Sequence, residues 1–170
     1  MSDIKKNKRK ESKLQAIHDA FKIRKEVTIL TENNFYLTLS KVEEEINTAT
    51  AGRSEADKKS IRAKRYKFYR DQINRLTERV INHSADIAEH LAKANTIFPL
   101  YMSEFEERRL EMDKALESCN ALQCELQYAA ESLYADKNKY SNLVIEIQKE
   151  FNTIKKLRQS DNRFLKDIKK

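Results

Sequence analysis

LYMSEFEERRLEMDKALESCNALQCELQYAAESLYADKNKYSNLVIEIQKEFNTIKKLRQSDNRFLKDIKK, the stretch from Leu100 to Lys170, decides the fold through a seven-residue repeat. With Met102 as position a and Phe105 as position d, the d row reads Phe105, Met112, Cys119, Leu126, Leu133, Tyr140, Ile147, Ile154, Asp161 and Ile168, and only Asp161 is polar. The a row, with Arg109, Gln123, Lys137 and Arg158 among Leu116, Ala130, Val144, Phe151 and Leu165, is weaker. A period of 3.5 against a helix of 3.6 residues per turn keeps one stripe on a partner only if helices supercoil. No Gly or Pro follows Pro99, so an unbroken helix here would be about 100 Å long.

Composition points the same way. One Gly, one Pro and no Trp in 170 residues leave too little punctuation for a sandwich, a barrel or an alternating α/β fold. The charged fraction of 36% would suit a disordered chain as well. A disordered chain, however, has no reason to hold apolar residues in register. No stretch approaches the roughly 20 apolar residues of a membrane span. The basic N-terminus runs into Glu11, Ser12, Lys13 and Gln15 instead of an apolar signal core. The expectation is therefore a cytoplasmic protein without a transmembrane segment.

Residues 1–13 read as a basic flexible N-terminus and 14–170 as one helical coiled-coil domain. Leu14, Ile17 and Phe21 start an amphipathic stripe that resumes at Phe35, Leu39, Val42, Ile46 and Ala49. This predicts a helix from about Ser12 to Thr50, weakest near Thr31–Asn34 and stopped by Gly52. Ser54 before Glu55 and Asp57 reads as an N-cap for a helix to about Ile97. There the a row is Tyr66, Ile73, Val80, Ile87, Ala94 and the d row Tyr69, Leu76, His83, His90, Ile97. Pro99 forces a turn. The fold class is all-α, an elongated antiparallel hairpin of three long helices. Asp136, Lys137, Asn138, Lys139, Ser141 and Asn142 are poor helix formers, and a turn there would give an up-down four-helix bundle instead. The heptad phase survives across them, which favours the continuous helix.

Few residues offer chemistry. The only Gly excludes a phosphate-cradling loop, and no enzymatic activity and no cofactor are expected. Cys119 at a d position reads as a buried small hydrophobe. His83 and His90 share a heptad position with Asp86 between them. Two histidines about 10 Å apart cannot hold one metal ion, so the reading is a register-setting, pH-sensitive seam pair.

The net charge of +7 gathers in Lys5–Lys13, Arg53–Arg70 and Lys155–Lys170. Basic clusters suit nucleic acid, an acidic protein or an anionic surface. In Lys64-Arg65-Tyr66-Lys67-Phe68-Tyr69-Arg70, bases alternate with aromatics, making Lys64, Arg65, Lys67 and Arg70 candidate polyanion contacts. A continuous last helix would bring Lys155–Lys170 to the same end as Arg53–Arg70.

Lys13-Leu14-Gln15-Ala16-Ile17, then Phe21-Lys22-Ile23-Arg24-Lys25-Glu26, and the ending Ser160-Asp161-Asn162-Arg163-Phe164-Leu165-Lys166 resemble the central-stalk coiled coils of flagellar and type III secretion export. The resemblance implies a cytosolic protein seated in a hexameric export ATPase and linking it to the export gate.

A helix from Ser54 to Ile97 covers only about 65 Å, so a continuous last helix would leave Ile147, Phe151, Ile154, Leu165 and Ile168 without an internal partner. Exposed apolar stripes mark interaction sites. The expected function is a non-enzymatic scaffold that bridges or assembles a protein complex through this seam, by self-association or with another protein. The alternative is a sequence-nonspecific nucleic-acid-binding or organising protein.

Overall fold

A computed structural model of the chain describes residues 2–168, with side chains from Gln15 onward. It is all-α: α1 (Ser2–Glu32), α2 (Leu39–Thr50), α3 (Glu55–Thr96), α4 (Met102–Ser132) and α5 (Lys137–Ser160), with short 3-10 turns at Asn34–Tyr36 and Asp161–Lys166. Four helices close a ring in which α3 packs on α1 and α4, and α5 packs on α4 and α1. The chain runs up and down around this ring, and α2 packs chiefly on α3.

The continuous last helix is corrected. α4 ends at Ser132, Tyr134 takes a left-handed φ of 52°, and α5 starts at Lys137. The Asp136 carboxylate accepts a hydrogen bond from the Asn138 N–H at 3.1 Å, so the residues with weak helix propensity serve as a cap. The heptad count crosses the break undisturbed because Leu133 and Tyr140, seven apart, both face the core. Phase records which side chains point inward on each helix; it does not record backbone continuity. Lys22 on α1 meets Glu146 on α5 at 2.5 Å, and Arg158 meets Asp113 on α4 at 2.5 Å. The seam taken for a partner site is therefore covered from within: Ile147 and Ile154 are fully buried and Phe151 is half-buried.

The second row of the seam also differs from expectation. Burial in α4 and α5 follows the d row with the g row, Arg108, Ala115, Leu122, Ala129, Leu143 and Glu150, while Met102 of the a row is exposed. Polar residues in the a row left it weak for this reason. Three charged groups occupy the true stripe, and two of them neutralise each other. Arg108 and Asp161, both about 98–99% buried, form an ion pair. The same guanidinium donates to the Ala94 carbonyl and, at 2.9 Å, to that of Ile97, satisfying carbonyls left open at the C-terminus of α3.

The first long segment breaks within the weak stretch that the sequence marks. Asn34, Phe35 and Tyr36 have φ of 47°, 56° and 52°, a left-handed turn that costs L-residues about 1–2 kcal/mol each. Full burial of Phe35 offsets part of that cost. Two backbone bonds to the α4–α5 turn add to it, Thr38 N–H to the Tyr134 carbonyl at 3.3 Å and Asp136 N–H to that of Tyr36 at 3.2 Å. On α1 the inward stripe is Ala16, Ala20, Ile23, Val27 and Leu30, whereas Phe21 is exposed. Leu14 and the basic segment 1–13 lie outside the residues whose side chains are described. Gly52, at φ +72°, reverses the chain after α2. The Ser54 hydroxyl then caps α3 by accepting from the Asp57 N–H at 3.2 Å. After Pro99, the Glu104 carboxylate accepts from the N–H groups of Leu100 (2.7 Å) and Tyr101 (3.1 Å), which starts α4.

Glu150 is the third charged group in the stripe, 1% exposed, with neither carboxylate oxygen hydrogen-bonded among the described residues. Burial, and then the nearby Asp19 charge, push it up to about 8. Its native value lies above that of an unfolded glutamate, so the folded state retains the proton. Stability then falls as pH rises from the ordinary carboxylate range through about 8. Glu150→Gln is expected to leave stability unchanged near pH 4 and to raise it by a few kcal/mol at pH 8.5, measured by urea denaturation at both values.

Candidate functional site

The two ends of the bundle differ in what they expose. At one end α3 outruns the ring: no side chain from Glu55 to Phe68 is buried, and the first buried one is Tyr69. These 14 residues, about 20 Å of helix, pair with α2 as a projecting hairpin. The predicted polyanion residues sit on it. Lys64, Arg65, Lys67 and Arg70 are all exposed, but they are not equivalent. Arg65 pairs with Glu45 at 3.2 Å and Arg70 with Asp71 at 3.7 Å, while no ion pair is formed by Lys64 or Lys67 among the described residues. The Tyr66 and Tyr69 hydroxyls donate to Glu43 and Glu45, so both aromatics join α3 to α2. Phe68 remains exposed, at 47%. Where hairpin meets bundle, a cleft of about 450 Å³ lies between Asn33, Leu37, Leu39, Tyr66 and Ile73.

The opposite end exposes a group of large apolar side chains. Phe98, Leu100, Tyr101 and Met102 around Pro99 are 47–66% exposed, and Leu165 is 46% exposed. Phe164 stacks edge-on against Phe98 at 5.9 Å between ring centres, which ties the C-terminal 3-10 turn to this corner. Of the predicted partner-binding residues, Leu165 is thus exposed here, Ile168 is half-buried, and the other three lie within the bundle. The exposed residues flanking Pro99 were missed because they belong to a turn, outside any periodic stripe. Hydropathy beside the one proline was the available signal.

The fold-back also moves the C-terminal basic cluster. The Arg158–Asp113 pair and a 2.6 Å hydrogen bond from Arg109 to Asn162 hold the end of α5 beside the start of α4. Lys155–Lys166 therefore lies at the Pro99 end, and the expected single surface with Arg53–Arg70 does not form. The bundle carries basic charge at both ends.

The histidines flank the seam. Burial on α3 passes through Leu76, Val80, Ser84, Ile87, Leu91 and Ala94, drifting off the d row as an unsupercoiled 3.6-residue helix must. His83 and His90 are half-buried beside it. His90 Nδ1 lies 2.7 Å from Glu111 on α4, and Lys114 lies 2.6 Å from the other Glu111 oxygen. No hydrogen bond joins Asp86 to either histidine among the described residues, nor is any cluster of three or more ligating side chains there arranged to hold a metal ion. Cys119 is fully buried, and burial, then Glu150, push its thiol up to about 12, which keeps it from acting as a nucleophile at neutral pH.

No family model, curated protein or solved structure matches this chain. Its class rests on its own architecture, an all-α bundle of long helices. No helix among the described residues is long and apolar enough to cross a membrane.

Hydrogen bonding from Lys114, against burial and with help from His90, holds Glu111 below the usual carboxylate range. A depressed carboxylate stabilises the fold above its unfolded value, and that contribution is lost as pH falls through the folded one. Glu111→Gln is expected to cost about 1–2 kcal/mol at pH 7 and progressively less as the pH is lowered through the acid range, measured by thermal melts. A double-mutant cycle with His90→Asn should show coupling at pH 7 that shrinks in the same direction.

Proposed function

We propose that this protein is a non-enzymatic bridging protein, a rigid helical strut that holds one partner at each end. The observation that carries the reading is the apolar corner at Phe98, Leu100, Tyr101, Met102 and Leu165. Large apolar side chains grouped at one end of a bundle whose core is otherwise complete mark a protein contact. The projecting hairpin supplies the second end, with exposed Phe68 beside Lys64 and Lys67 on α3, a chemistry that suits an acidic protein surface with apolar residues of its own. The site first inferred along α5 gives way to these two ends, because most of its residues already have partners inside the chain.

An export stalk, as the sequence resemblance suggests, is one specific form of this bridging role, with an ATPase ring at one end and a gate protein at the other. Photo-crosslinking residues placed at Phe98, at Phe68 and, as a mid-bundle control, at Ile145 (51% exposed) test the general role in cells. The expected result is one discrete adduct from Phe98, a different one from Phe68, and none from Ile145. Equal labelling from all three positions would reject the two-ended strut.

Lys64 and Lys67, which form no ion pair among the described residues, favour one second reading, nonspecific binding of nucleic acid. If it holds, duplex binding at 50 mM salt falls steeply by 200 mM. Lys64→Ala with Lys67→Ala then lowers the slope of log affinity against log salt by about 0.9 per lost phosphate contact. Fluorescence anisotropy on a duplex measures this, and absence of binding at 50 mM salt discards the reading.

A further inference from the structure

Away from both ends, a cavity of about 190 Å³ opens between α1 and α5, lined by Asp19, Lys22, Ile23, Glu146, Lys149 and Glu150. The groups facing Glu150 come from each element packed around it. α1 supplies Asp19 and Lys22, α5 supplies Glu146 and Lys149, and α4 supplies the un-ionised Cys119 thiol. Lys22 is taken by Glu146 at 2.5 Å, and Lys149 is exposed. Asp19 accepts from Gln15 at 2.8 Å. Among the described residues Glu150 has no cation, and both its oxygens are buried without a hydrogen bond.

A buried carboxylate without donors costs free energy that an apolar residue in the same stripe would avoid. Its oxygens are closed off from the cavity, so a donor in the cavity meets them only when the Glu150 side chain turns outward. The cavity lining carries three carboxylates against two ammonium groups, and one wall is the apolar Ile23. A divalent metal needs about six oxygen ligands in a tight shell, and no cluster of ligating side chains among the described residues fits one. An alkylammonium ion needs less. Its three N–H donors can meet Glu150 and Asp19, and a short carbon chain can lie along Ile23.

We propose that this cavity binds a small organic cation, a protonated primary amine, whose ammonium group pairs with Glu150. In the free protein Glu150 sits near 8 and is protonated at pH 7, so amine binding ionises it and expels its proton to solvent. Affinity therefore rises with pH up to about 8, and binding at pH 7 releases close to one proton per site.

The probe is n-butylammonium chloride on the full chain, with n-butanol as the neutral isostere and calcium chloride as the metal control. Isothermal titration in buffers of different ionisation enthalpy reads affinity and proton release together. Butylammonium is expected to bind at pH 8 at least about tenfold more tightly than butanol, the range of a charge-assisted hydrogen bond. Glu150→Gln, which keeps the side chain's shape, should abolish that preference and the proton release. Asp19→Asn should weaken binding while leaving the proton release intact. Equal affinity for butylammonium in the wild type and Glu150→Gln, binding without proton release at pH 7, or a Glu150-dependent response to calcium alone would each overturn the proposal.

Discussion

One guanidinium closes the bundle. Arg108 on α4 reaches the C-terminal carbonyls of α3 and the carboxylate of Asp161 at the end of α5, so a single side chain joins three helices at the Pro99 end. Desolvating two such charges costs several kcal/mol per ion, recovered only when geometry and hydrogen bonding are complete. Here they are shared among a carboxylate and two carbonyls. Asp161 is the only polar member of the d row and Arg108 a polar member of the g row. Each is tolerated in the stripe because the other faces it, and they face each other only if α5 folds back. The pair thus specifies topology, the best attested use of a buried polar contact. The opposite end is held by backbone, through the bonds between the left-handed turn at Asn34–Tyr36 and the turn at Tyr134–Asp136.

The all-α class, the Ser54 cap, the stop at Gly52 and the turn at Pro99 were legible in the sequence because each rests on local chemistry. Phe105 through Ile154 were legible as the core row because one inward position repeats every seven residues on any long packed helix. The break before Asp136 was visible as weak propensity yet overruled by heptad phase, which the fold-back happens to preserve. The stripe on α1 was misread at Phe21, which is exposed, while Ile17 does pack against the core. Two of the five buried apolar positions described there are alanines, and an alanine that lets two helices approach looks unremarkable in sequence. Neither the Arg108–Asp161 pair nor the lone Glu150 was readable, since both depend on which helix lies opposite.

The architecture also orders the functional readings. A chain that buries its heptad seams internally has no long free stripe to offer, so contacts with other molecules concentrate where packing stops. Those places are the hairpin beyond Tyr69 and the corner around Pro99, at opposite ends of a rigid bundle. The proposed bridging role rests on that separation. The core, with an uncharged Cys119 and a Glu150 that lacks a partner among the described residues, is where the proposed cation site lies, away from both ends.

The fold-back of α5 supports every part of this account, and one distance tests it. With Cys119→Ala and Cys124→Ser as background, spin labels at the half-buried Arg109→Cys and the exposed Asn162→Cys report the separation of two positions that are hydrogen-bonded neighbours at 2.6 Å in the native protein. The bundle predicts a single short distance, within about two helix diameters, or roughly 20–25 Å. A population centred near 80 Å, the span of 53 residues of unbroken helix at about 1.5 Å each, would contradict it.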